Sequence, residues 1–254
     1  MNKISSHLKS SALFVGILVL WYILAQLQLW SSFVLPSPGK VWDAFLVMCQ
    51  NGELGESIYV SFRRIFLGFS VASLLAFCLA ITSLVFPGAR PYYAGIINFL
   101  RNVPPLTLIP LLILWFGIGE LPKIIVIVLA SFFPLLLNLD SGFAGCDPKL
   151  LEVGKILGFS RQENLKKIIL PYALPYIVVG MRIALGYSLR AIIGAEMIAA
   201  SSGLGYLILD AETMSRSDKV LVGIIVIGLL GICLDRIFAF FIKHYFPYRT
   251  EVSS

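Results

Sequence analysis

CDPKLLEVGKILGFSRQENLKKIILPYALP, residues 146–175, is a polar, helix-coded insert between two long apolar runs. Asp147 is placed to cap a helix whose first position is Pro148, where a missing N–H costs nothing. Gly158 suits the left-handed residue that follows a helix C-terminus. Ser160 and Glu163 form a capping-box pattern for a second helix, which Pro171 bounds. In the first helix Lys149, Glu152 and Lys155 recur at three-residue spacing, and Leu150, Leu151, Val153, Ile156 and Leu157 occupy the rest. That aliphatic surface is covered either by the chain's own helices or by a groove on a soluble partner.

Outward from this insert the chain is apolar. Of 254 residues, 58% are hydrophobic and 13% charged, against about 25% charged in a soluble domain. The mean hydropathy is +0.90. An ordinary cytosolic enzyme, a disordered chain and a disulfide scaffold are excluded. Six apolar stretches, about 11–30, 65–86, 91–116, 122–142, 175–200 and 219–242, approach the ~20 residues a helix needs to cross a bilayer. Period-2 alternation of a membrane barrel is absent. The reading is a single all-α membrane domain over 1–254, with about six transmembrane helices and a loop at 146–171. The first stretch follows a basic start, but its length and the lack of a small-x-small cleavage site make it a retained anchor.

With both ends placed in the cytoplasm, ten of the 20 basic residues fall inside. Six fall outside (Lys40, Arg63, Arg64, Lys123, Arg216, Lys219), and Arg101, Arg182, Arg190 and Arg236 lie within spans. The positive-inside bias therefore favours cytoplasmic termini. No basic stripe interleaved with aromatics points to nucleic acid. Cys49, Cys78, Cys146 and Cys233 form no CxxC pair and read as small hydrophobes. His7 and His244 lie near the two ends, so no histidine metal cluster is available, and no cofactor is implied.

The order Glu152-Val153-Gly154, Gly158, Ile168-x-Leu170-Pro171 resembles the EAA loop of permease subunits of binding-protein-dependent ABC importers. Val153 and Gly154 stand where that family usually has two alanines. The stretches LPSPGKVW (35–42), SFRRIFLGF (61–69), LRNVPPLTLIPLLILWFGIGE (100–120) and GAEMIAASSGLGYLI (194–208) are similar to the nitrate/sulfonate/taurine branch. The tail, 215–237, is most similar to taurine or alkanesulfonate permeases. The resemblance implies a type I importer permease fold in a bacterial inner membrane and a homodimer of permeases. It also implies cytoplasmic ATPase subunits and a periplasmic or lipid-anchored binding protein. It assigns ATPase coupling to Leu151, Glu152, Val153, Gly154, Ile156, Leu157, Gly158, Ile168 and Pro171.

A phosphate loop of the GxxxxGK[ST] type is lacking, so ATP hydrolysis belongs to another chain and no catalytic residue is expected. For the translocation path or gate, Arg101 stands inside an apolar stretch, with Asn102, Pro104 and Pro105 next to it. An intramembrane charge faces protein or water, and paired prolines break a helix where irregular backbone lines a cavity or is buried. Such a site is an anion path or a structural salt bridge at a kink. Arg190 is a second cation of that kind. Glu196, six residues on, points elsewhere around the helix and pairs with another span, or ties a gate to the Ser201–Gly205 loop. Asp235 and Arg236 pair locally or snorkel. An ion-coupled transporter using Asp140 or Glu196 is the alternative, but it has no need of the 146–171 insert.

Overall fold

The computed structural model describes residues 3–245; Arg249, which the charge count places inside, lies outside them. Every regular element among the described residues is helical. Helix α1 (Lys3–Gln26) is followed by α2 (Pro38–Gln50) and α3 (Glu53–Val85). α4 (Arg90–Leu100) and α5 (Ile109–Phe116) flank a 3-10 turn at Pro105–Leu108. α6 (Glu120–Ala144) leads to α7 (Pro148–Ile156). α8 (Arg161–Asn164), a π-helical turn (Leu165–Ile169) and α9 (Leu170–Ala199) run on as one helix of 39 residues. α10 (Leu204–Thr213) and α11 (Ser217–Tyr245) complete the chain.

Among the described residues four helices are long and apolar enough to cross a membrane: α3, α6, the α8–α9 rod and α11. The stretch expected as a third span, 91–116, is two helices bent by 85°. The proline pair causes the break. Pro104 is extended, and its carbonyl accepts the Thr107 N–H (3.0 Å) and hydroxyl (2.7 Å) instead of continuing a helix. α1 supplies a shorter apolar helix, Val15–Gln26.

Two expectations are corrected. Pro171 does not end the second loop helix; the chain passes through it into α9. The π-turn directly before it carries i→i+5 bonding, Leu170 N–H to the Leu165 carbonyl, and absorbs the register change that a proline imposes. The second apolar stretch starts earlier than residue 65, because α3 begins at Glu53, so Arg63 and Arg64 are helical residues rather than loop residues. α2 and α10 were not anticipated; α2 is signalled by Ser37, which caps it, and by Pro38 in its first turn.

The core is centred on α6. Ala76 and Ala80 of α3 meet Leu135, Leu136 and Leu139 of α6 and Ala173 and Ile177 of α9, all buried. Small alanines let these long helices approach closely, as helix association in lipid requires. A second cluster joins α2, α10 and α11 through Val41, Met48, Leu204, Leu207 and Val222. α9 therefore holds the 146–171 loop at one end and α10 at the other. At 1.5 Å per residue those ends are ~45 Å apart.

Candidate functional site

At the loop end the local signals form as written. The Asp147 carboxylate accepts the Lys149 N–H at 2.9 Å. Gly158 has φ +73°, the Phe159 N–H donates to the Gly154 carbonyl (2.9 Å) and the Gly158 N–H to that of Lys155 (3.0 Å). That pair of bonds is a Schellman stop. The Ser160–Glu163 capping box is closed in both directions. Arg161 donates to the Val85 carbonyl, placing a cation on the negative C-terminal end of α3 and tying the loop to the bundle.

The loop folds back on itself at Gly154. This residue is buried, and a Cβ there would overlap Asn164 Oδ1 and come within 2.8 Å of Ile168 Cδ1. Gly154 and Ile168, 14 positions apart in the motif, are thus brought together. Glycine at a position where an alanine is usual is explained by the close approach of Asn164. The outer side of α7 is bare: Val153 is 50% exposed, Leu157 62% and Ile156 84%. Glu152 and Pro171 are also exposed, while Leu151 is half-buried. Burial, and then the neighbouring Asp147 charge, push the Cys146 thiol up, in keeping with a small hydrophobe.

Arg101 lies at the α4 end of the 85° bend and is exposed. The Asn102 amide turns back to the Asn98 carbonyl at 2.6 Å. The Pro105–Leu108 turn meets α9 at Gly194, where a Cβ would stand 2.8 Å from Leu106 Cδ1. Arg190, also exposed, is one helical turn from Gly194 on the same face of α9, with its guanidinium 5.8 Å from the Tyr187 ring centre. The turn that follows Arg101 therefore packs against the face of α9 that carries Arg190.

Glu196 is elsewhere. It is fully buried and does not face the exposed side of the chain. Its carboxylate accepts from Arg64 Nη1 (2.8 Å), the Ser61 hydroxyl (2.9 and 2.8 Å) and the Gly205 N–H (2.9 Å). Arg64, 2% exposed, also reaches Glu120 through Nε and Nη2 (2.7 Å each), the Ser202 carbonyl (2.7 Å) and the Ser202 hydroxyl (3.2 Å). Lys123, 4% exposed, pairs with Glu120 at 3.0 Å. Buried charges survive only when paired and hydrogen-bonded in this way.

Glu196 and its tie to the 201–205 loop are legible in the sequence; its partners Ser61 and Arg64, and the Glu120 and Ser202 groups that Arg64 also binds, are not. The available signal was a buried-helix carboxylate that needed a cation. Arg63–Arg64, at the edge of an apolar run, offered one. Asp235 is corrected too: it pairs across helices with Arg182, in two bonds of 2.6 and 2.7 Å, rather than with Arg236. Asp140, the other carboxylate considered for ion coupling, stands 3.7 Å from Arg90. Among the described residues no cluster of three or more His, Cys, Asp or Glu is placed to hold a metal.

Residues 68–246 match the family described as binding-protein-dependent transport system inner membrane component. The chain is 36% identical over 219 residues to SsuC of Bacillus subtilis (strain 168), a permease protein named for aliphatic sulfonates, covering 86% of this chain and 79% of that one. It is 34% identical over 241 residues to the taurine transport system permease protein TauC of Escherichia coli (strain K12), covering 93% and 88%. Among solved structures, the fold matches a chain of an amino acid ABC transporter with a TM-score of 0.64 at 15% identity, over 79% of this chain and 96% of that one. With the family matched over most of its length and these helices in a type I importer arrangement, the chain belongs to the binding-protein-dependent transport system inner membrane components and is an ABC importer permease subunit.

Proposed function

We propose that two copies of this chain form the path of an ATP-driven importer for a small sulfonate, taurine or an alkanesulfonate, working by alternating access. The observation that carries the anionic substrate is the placement of Arg101 and Arg190. Two exposed guanidinium groups stand among apolar helices, one just before the turn that packs on α9 and one on the face of α9 that this turn meets. Cations there are costly against lipid, and favourable in a wet path that attracts an anion. The names of the related sulfonate and taurine permeases support that substrate class.

The energy enters from separate cytoplasmic ATPase subunits. Their cleft receives α7, whose bare Val153, Ile156 and Leu157 would be covered there while Gly154, Gly158, Ile168 and Pro171 set the helix in place. A periplasmic or lipid-anchored binding protein delivers the solute at the α10 end, and lipid covers the remaining apolar helix faces. Both termini are cytoplasmic, in a bacterial inner membrane. Arg64 and Lys123 are consumed by the buried network, which leaves Lys40, Arg63, Arg216 and Lys219 as the basic residues on the periplasmic side and sharpens the positive-inside bias.

The test is uptake of labelled taurine and of an alkanesulfonate by the assembled complex. Arg101→Ala and Arg190→Ala should each cut uptake by at least ~tenfold, about 1.4 kcal/mol, while the ATPase still co-purifies. Full uptake in both variants would remove the anion path. Loss of assembly in Arg101→Ala would make it a structural residue.

A further inference from the structure

The Arg64–Glu196 network has a property that a gate would not have: it is saturated. A guanidinium has five N–H donors. In Arg64 these reach Glu120 through Nε, Glu196 and the Ser202 carbonyl through Nη1, and Glu120 and the Ser202 hydroxyl through Nη2. The Leu204 N–H adds a bond to the Ser61 hydroxyl at 2.9 Å, so the first turn of α10 is capped by α3. The loop backbone lies directly on the carboxylate: a Cβ at Gly203 would overlap it, and one at Gly205 would overlap the Ile193 carbonyl oxygen. The buried cations Arg64 and Lys123 match Glu120 and Glu196 in charge, and the exposed Arg63 stands 3.7 Å from Glu120 at the rim. Opening this joint would leave the Arg64–Glu196 pair in place but take the Gly205 N–H from Glu196 and both Ser202 acceptors from Arg64, so that a buried ion pair loses part of its hydrogen bonding in an apolar interior.

We propose that the network is a permanent fastener. α10 and the loop before it stay closed on α3, α6 and α9 throughout the transport cycle. The opening on that side of the membrane then occurs between chains and never between α10 and the rest of its own bundle. The proposal rests on the importer reading only in supposing that there is a cycle.

Thiol protection tests it. In a chain whose four native cysteines are replaced by serine or alanine, a reporter cysteine is placed at Leu204 or Ala211, both buried on α10, and a control at Met214, which is 66% exposed. The complex with its ATPase is treated with a polar maleimide without nucleotide, with ATP and after trapping with ADP and vanadate. Met214→Cys should label in every state, and Leu204→Cys and Ala211→Cys in none. Adding Glu196→Gln should speed their labelling by about ten- to a hundredfold, the effect of losing one charged hydrogen bond on the open population. Labelling of both reporters in any nucleotide state with the network intact would overturn the fastener. If the Glu196→Gln chain fails to accumulate, the arms with the intact network still decide. A complex without nucleotide-stimulated uptake would sink the importer reading instead, and protection in the chain alone would still measure the fastener.

Discussion

At the α10 end of α9, charged side chains are buried and apolar residues cover them; at the α8 end, apolar side chains are bare and charged ones stand around them. Glu196 has no exposed surface, whereas Ile156 on α7 is 84% exposed. Each inversion has its own cause. Arg64 and Glu196 are inside because every polar atom of theirs has a partner within this chain. Ile156 is outside because α7 turns Gly154, and not its aliphatic side, to the rest of the loop. The first end is complete in one chain; the second end is a surface that this chain leaves bare, and on the proposed reading an ATPase subunit covers it. A subunit that passes on force needs both, a rigid body and a handle.

The largest effect should come from breaking the closed end. Arg64→Leu removes five donors and leaves Glu196 buried with uncompensated charge. A loss of about 3–5 kcal/mol is expected, read as a lower thermal unfolding midpoint of the solubilised chain. Adding Glu196→Gln should recover part of it, because the stranded charge is then gone. If Arg64→Leu melts like the parent, the α10 end is not the fixed one.

Gly205→Ala probes the same end without touching a charge. The added methyl would overlap the Ile193 carbonyl oxygen and sit 2.7 Å from Glu196 Cβ. Backbone cannot yield as a side-chain tip does, so a cost of about 3 kcal/mol is expected, at the upper end for overpacking. At the open end, Gly154→Val meets the movable tips of Asn164 and Ile168. The cost should be smaller, about 1–2 kcal/mol, and the spans should insert normally while ATPase co-purification falls. Equal losses at the two glycines would erase the contrast between a rigid end and a yielding one.

How much of this was legible follows the range of the interactions. The loop helices were readable because Asp147, Gly158 and the Ser160–Glu163 box act over two to five residues. The break at Pro104–Pro105 was readable for the same reason; its 85° angle and the seat of Leu106 against Gly194 were not. Pro171 misled because a π-turn, which no short motif announces, absorbed it. Arg64 and Glu196 lie 132 residues apart, and nothing local to either marks the other. The reason for the glycines of SSGLG, 201–205, is a carboxylate lying against the backbone, and that belongs to the tertiary fold.

The smallest expected change in stability is also the sharpest test of the open end. Ile156 is 84% exposed, so Ile156→Ser uncovers almost nothing in the chain itself. Surface substitutions of that kind stay within about 0.5 kcal/mol, and the solubilised chain should melt as before. Yet the same side chain lies on the bare stripe of α7, and burying an isoleucine in a partner's groove is worth about 1.5–3 kcal/mol. Co-purification of the ATPase should therefore drop while the midpoint holds. A fall in the midpoint with unchanged co-purification would mean that α7 packs beneath its own bundle. The two ends of α9 would then differ only in how many charges each one buries.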